Sequence, residues 1–232
     1  MEHLTEFLKD RGQRSLLAAG GLLVCALGTY FELQANIGMA PWESLNQGIA
    51  MKMGISYGLA CQVISFLVIA ADLLLHERIG IGTFLDALIV GAGVDFCTKM
   101  NLVPVQTKLA GQIGFLFLGM VVICFGIFLY MKAGLCCGPR DAFLVGIGKR
   151  LAKLPIGLVN IMILSVVLVG CLLLGSPIGL GTVISAFGTG VIMEAVFRLV
   201  HFKAREVVHE SIFETCREMG RAMGSHGRHR HA

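Results

Sequence analysis

The stretch Ala35-Asn36-Ile37-Gly38-Met39-Ala40-Pro41-Trp42-Glu43 decides how the whole chain is read, because its skeleton returns 98 residues later. Ala35, Pro41 and Glu43 are matched by Ala133, Pro139 and Asp141, the last two within Cys136-Cys137-Gly138-Pro139-Arg140-Asp141. Outward from there, Gly28 pairs with Gly126 and Gly48-Ile49 with Gly146-Ile147. One residue is then inserted and the offset becomes 99. Gly58-Leu59 pairs with Gly157-Leu158, Ile79-Gly80-Ile81-Gly82-Thr83 with Ile178-Gly179-Leu180-Gly181-Thr182, and Asp95 with Glu194. So many matches with a single gap mark a tandem duplication.

Composition says what was duplicated. The 232 residues are 56 % hydrophobic and 15 % charged, with a mean hydropathy of +0.79. Soluble domains average about 45–50 % apolar and about 25 % charged. Disordered chains, coiled coils and ordinary soluble enzymes are thereby excluded. Six apolar runs are long enough to cross a bilayer: 16–33, 57–75, 80–97, 111–131, 155–174 and 179–200. Two further helical segments, 41–53 and 139–153, are short or charged; thirteen residues span only about 20 Å of a hydrocarbon core about 30 Å thick.

The expected fold is therefore all-α, a polytopic transmembrane bundle of two tandem repeats. Residues 1–14 form a charged cytoplasmic lead and not a cleaved signal, 15–98 the first repeat and 99–111 the connecting loop. Residues 112–200 form the second repeat. Residues 201–232 form a basic cytoplasmic tail in which 204–223 has the spacing of an amphipathic helix. Re-entrant short helices leave three crossings per half and force the halves to be inverted; crossing short helices make them parallel. Counting Lys and Arg on the outside gives three in either case, so the positive-inside rule does not choose, although both arrangements leave the termini cytoplasmic. The short-helix lengths favour inverted repeats.

Chemistry concentrates at the two Pro-x-acid words. Proline suits the first helical position, where its missing N–H costs nothing, and an acid in the first turn is favoured by the helix dipole. Helix punctuation is the plain reading. The sharper one starts from cost: a carboxylate at membrane depth costs about 2.5–3.5 kcal/mol unless it faces a polar cavity or a partner. Arg140 is the natural partner for Glu43 or Asp141, and Trp42 either walls the cavity or sits at the headgroup boundary. Asp86, six residues into the third span, is packed against polar groups or functional. Trp42, Glu43, Asp86, Arg140 and Asp141 are accordingly the candidate solute-binding residues. Asp95 reads as a helix end, and Glu194 as the ion-pair partner of Arg198 at i+4.

Other motifs lose their chemistry in context. Gly80-Ile81-Gly82-Thr83 and its repeat lie in apolar helices and not in βαβ units, so they signal close packing and not a nucleotide loop. Four of the eight cysteines, Cys25, Cys61, Cys124 and Cys171, lie inside apolar runs and read as structural thiols. No catalytic triad, zinc spacing or nucleic-acid patch stands out, so no enzyme activity, cofactor, metal or nucleic-acid partner is expected.

At the Pro41-Trp42-Glu43 word, with Ala35-x-Ile37-Gly38-Met39-Ala40 and the repeated Ile-Gly-x-Gly-Thr, the chain resembles the bacterial YczE/YitT-type integral membrane proteins over about residues 15–200. The resemblance implies a multi-pass protein of the bacterial plasma membrane and no particular substrate. Trp42 is replaced by Arg140 in the second half, so the halves are not equivalent at the candidate site. From the residues, the expected function is a small secondary transporter or channel-like module for a small polar or anionic solute. The competing expectation is a membrane accessory or sensor protein. Lipid is the expected surroundings, and a homo-oligomer suits either.

Overall fold

The computed structural model describes residues 2–77, 79–135 and 138–202, with no side-chain placement for 2–8 and 10. Cys136, Cys137, Arg78 and the tail with its expected amphipathic helix lie outside the described residues. Eight helices follow in order: α1 (Glu2–Ala35), α2 (Pro41–Met53), α3 (Tyr57–Leu74), α4 (Ile81–Met100), α5 (Leu109–Lys132), α6 (Pro139–Arg150), α7 (Ile156–Leu174) and α8 (Leu180–Leu199). Six are long and apolar enough to cross a membrane, α1 from Arg11 onward; α2 and α6 are not among them. The protein is a polytopic membrane helix bundle, and its charged lead and first span form one continuous helix.

The repeat reappears in the backbone. Asn36 and its mate Gly134 both take a left-handed conformation after α1 and α5, with φ of 54° and 70°. His76 and Gly175 do the same after α3 and α7, at 55° and 70°. Such residues end helices by turning the chain while satisfying the last carbonyls. Both short helices open on proline, and Gly80 and Gly179 each donate to the threonine three residues on, Thr83 and Thr182.

At the centre α1 and α5 pack tightly. A Cβ built on Gly28 would stand 2.8 Å from the carbonyl oxygen of Gly119, and one on Gly126 would stand 2.7 Å from that of Gly21. Glycine is needed because the backbones themselves touch, as membrane helices do where small residues line the contact. The pairing is reciprocal: Gly21 meets Gly126, Gly28 meets Gly119, and the 98-residue offset carries Gly21 to Gly119 and Gly28 to Gly126, so it exchanges one pair for the other. As α1 advances from 21 to 28, its partner recedes from 126 to 119, so the two helices run antiparallel.

The halves are also stapled to each other. The Gly82 N–H at the start of α4 donates to the Leu135 carbonyl at 2.9 Å, and the Gly181 N–H at the start of α8 donates to the Ile37 carbonyl at 2.8 Å. Each loop thus completes the last helix of the opposite half. Gly38 makes one staple possible. Its φ is +95°, and an added Cβ would lie 2.8 Å from the Gly179 backbone nitrogen. Replacing Gly38 with alanine should therefore cost about 1–3 kcal/mol, the range for a non-glycine residue held at unfavourable backbone angles. A thermal melt of the purified protein in detergent checks this, and an unchanged midpoint would refute it.

The symmetry fails at the periphery. In the first half α3 packs on α4 through Gly58 and Gly91, and the Asp95 carboxylate accepts from Ser56 Oγ at 2.5 Å and the Gly58 N–H at 2.8 Å. In the second half Gly157 and Gly190 meet nothing within 4 Å, and α7 and α8 make no comparable interface. Instead α7 packs on α2 and α8 on α5.

Candidate functional site

Four of the five residues singled out in the sequence line one cavity of about 240 Å³ at the junction of the halves: Glu43, Asp86, Arg140 and Asp141. The fifth, Trp42, is not part of the lining, and its ring lies against Arg140. Two short helices create this meeting by starting at the same place. Pro41 and Pro139 occupy their first turns, and the Ser44 N–H donates to the Ala40 carbonyl as Ala142 N–H does to Gly138. Ser44 Oγ also donates to the Met39 carbonyl at 2.9 Å, fixing the approach to α2.

Arg140 crosses from the second half to the first. Its guanidinium donates to Glu43 Oε1, and its centre lies 5.4 Å from the centroid of the Trp42 ring. Positions 42 and 140 are repeat mates, so near-symmetric halves bring them together. Two tryptophans or two arginines there would forgo this pairing; one of each gives a cation over an aromatic face. Burial disfavours the charge on Arg140, but Glu43 more than offsets that and holds the guanidinium above its usual range.

Asp86 comes in from α4. A Cβ placed on Gly138 would lie 3.4 Å from its Oδ2 and 3.9 Å from Oδ2 of Asp141. The Asp86 carboxylate thus rests against the start of α6, where helix-end N–H groups favour negative charge. It is only half-buried by accessible surface although deep in the protein, because its remaining surface faces the cavity. Asp141, on the first turn of α6, is exposed. Thr29 and Ser65 add hydroxyls to a wall otherwise made of side chains such as Leu22, Val90 and Ile127.

Other polar residues were not read as site candidates in the sequence. Glu32, only 2 % exposed, packs beside Gly119 with its Oε2 unpartnered. Tyr57, on the cavity wall, approaches Asn46, and the two form no well-shaped hydrogen bond. The available signal was Glu32 itself, an acid near the end of the first apolar run that the sequence reading does not single out. Asp95 is a structural anchor of the α3–α4 contact, and Glu194 pairs with Arg198 at 2.5 Å on the exposed side of α8. Cys25, Cys61, Cys97, Cys124 and Cys171 are buried free thiols. Among the described residues no group of three or more His, Cys, Asp or Glu is placed to hold a metal ion.

Comparison with known proteins gives the chain a family. Residues 12–198 match the model of a family of unknown function, DUF6198. An uncharacterized protein of Haemophilus influenzae is 32 % identical over 180 residues, covering 77 % of this chain and 81 % of the relative. The uncharacterized membrane protein YczE of Bacillus subtilis is 28 % identical over 175 residues, 75 % of this chain and 80 % of its own. The uncharacterized protein YyaS of the same organism is 27 % identical over 192 residues, 80 % and 94 % respectively. No solved structure matches the chain.

Proposed function

We propose that this chain, which belongs to the DUF6198 family of multi-pass membrane proteins related to YczE, is a small secondary transporter or channel-like module of the bacterial plasma membrane. Its cargo is a small polar solute, bound where α2 and α6 begin. The observation that carries the reading is the cavity itself: it lies at the junction of two duplicated halves and is lined by the ionisable first turns of two short helices. Short or interrupted segments in corresponding positions of two halves are where secondary transporters place their binding sites.

The same proposal includes inverted repeats with re-entrant α2 and α6. A two-fold axis along the membrane normal would leave α1 and α5 parallel. Their antiparallel, reciprocal contact supports an axis in the membrane plane, and three crossings per half then turn the second half over. Both termini are cytoplasmic in this arrangement. A purely glycine-packed, dry centre would have favoured an accessory protein. Here the glycine-packed contact of α1 and α5 lies beside a cavity with ionisable walls. The accessory reading keeps one observation of its own, the apolar outer face of α7 and α8, where Val166, Leu173, Phe187 and Val191 are 70–79 % exposed. That face also suits lipid or a second copy of the chain.

The deciding experiment places a single cysteine at Val105, in the loop between the halves, in a background without native thiols. Labelling by a membrane-impermeant maleimide from outside is expected. Labelling from the cytoplasmic side alone would mean parallel halves and would overturn the inverted-repeat transporter in favour of the accessory protein.

A further inference from the structure

The cavity wall is unequally charged. Among the described residues that line it, Glu43, Asp86 and Asp141 accompany one cation, Arg140, which is engaged by Glu43 and stacked on Trp42. An anionic solute would meet a guanidinium whose charge is already paired with Glu43. It would also find Asp86 already lying at the start of α6, where a helix end would otherwise receive it. Asp86 itself has no hydrogen bond or ion pair to another described residue. A carboxylate set this deep, facing a space and with no donor among the described residues, calls for a donor from the space.

Building on the transport reading, we infer that the cavity binds a small organic monocation of the alkylammonium or guanidinium class, with Asp86 as its counter-charge. The phenol rings of Tyr57 and Tyr130 on the same wall suit such a cation, since aromatic faces attract positive charge. A bare metal ion fits less well, because the carboxylates do not converge into a metal-binding group. Size limits the class further. A cavity of about 240 Å³ suits a small cation better than a long one.

Trp42 supplies the readout, because it is the only tryptophan and lies against the cavity's arginine. The purified full-length protein in detergent is titrated with ethylammonium chloride, sodium acetate, sodium phosphate and sodium chloride while tryptophan emission is followed. Ethylammonium should give a saturable change that the sodium salts do not. The apparent affinity should fall at least ten-fold in Asp86→Asn and stay within about three-fold in Asp86→Glu. A response to acetate or phosphate alone, no saturable response to any salt, or an ethylammonium response unchanged in Asp86→Asn would each overturn the inference.

Where Asp86→Asn does not yield monodisperse protein, Gly138→Leu carries the decision. The φ of Gly138 is −61°, which any residue adopts, and its side chain would enter the cavity beside Asp86. Ethylammonium affinity should again fall ten-fold, and unchanged affinity would count against the cation. The titration needs no gradient and no sidedness. External labelling at Val105 without ethylammonium binding would therefore remove the cation and leave the transporter. Cytoplasmic labelling with saturable binding would do the reverse.

Discussion

Changing Arg140 to methionine is expected to lower the thermal midpoint more than any other single substitution in the cavity wall. The change strips Glu43 of its charge partner and Trp42 of its cation in one step. Breaking a buried ion pair from one side costs about 3–5 kcal/mol, mostly because the surviving charge is left without compensation. Arg140 and Glu43 keep 27 % and 18 % of their side-chain surface, so the lower end, about 3 kcal/mol, is the expected loss. The double variant Glu43→Gln/Arg140→Met should recover much of it, since neither charge is then stranded. A double-mutant cycle read by melting in detergent separates these contributions. A double variant no more stable than Arg140→Met would show that the loss does not come from the stranded Glu43 carboxylate.

The second large effect is expected at the central helix contact. Gly126→Leu would drive a side chain into the backbone of α1, where the Cys25 nitrogen and the Gly21 oxygen each lie 2.7 Å from an added Cβ. Overpacking a soluble core costs about 1–3 kcal/mol when neighbouring side chains can shift. Here the obstacle is backbone, so the helices must separate, and loss of monodisperse folded protein is expected. Gly114, on the same helix but with nothing within 4 Å of an added Cβ, provides the control. Gly114→Leu should leave size-exclusion behaviour and melting close to the parent's. Equal damage from both changes would mean that the α1–α5 contact is not special.

The sequence reading reached helix level because prolines and apolar run lengths are local. The segment 41–53 coincides with α2 (Pro41–Met53), and the six apolar runs with the six long helices, within a few residues at most ends. The short segment from Pro139 ends at Arg150 and not at 153, since Leu151 leaves helical geometry. Lys and Arg counts could not orient the halves, whereas the antiparallel contact of α1 and α5, visible only in three dimensions, supports the inverted arrangement proposed above. Glu43, Asp86, Arg140 and Asp141 were legible as costly ions in apolar surroundings, and the fold places them together. Glu32 was not singled out; continuation of α1 to Ala35 and the close approach of Gly119 bury it. The unequal halves were not legible at all. Gly58 and Gly157 occupy the same repeat position, yet one touches its neighbouring helix and the other stands clear.

The two loop staples bear on how the chain is made. As the nascent chain enters the membrane, α4 is laid down before its Gly82 N–H has an acceptor, because Leu135 belongs to residues not yet synthesised. The Ile37 carbonyl waits longer still, until α8 delivers Gly181 at the end of insertion. Both staples therefore close only once the second half is present. Halves produced as separate polypeptides should be degraded when alone and rescue each other when made together.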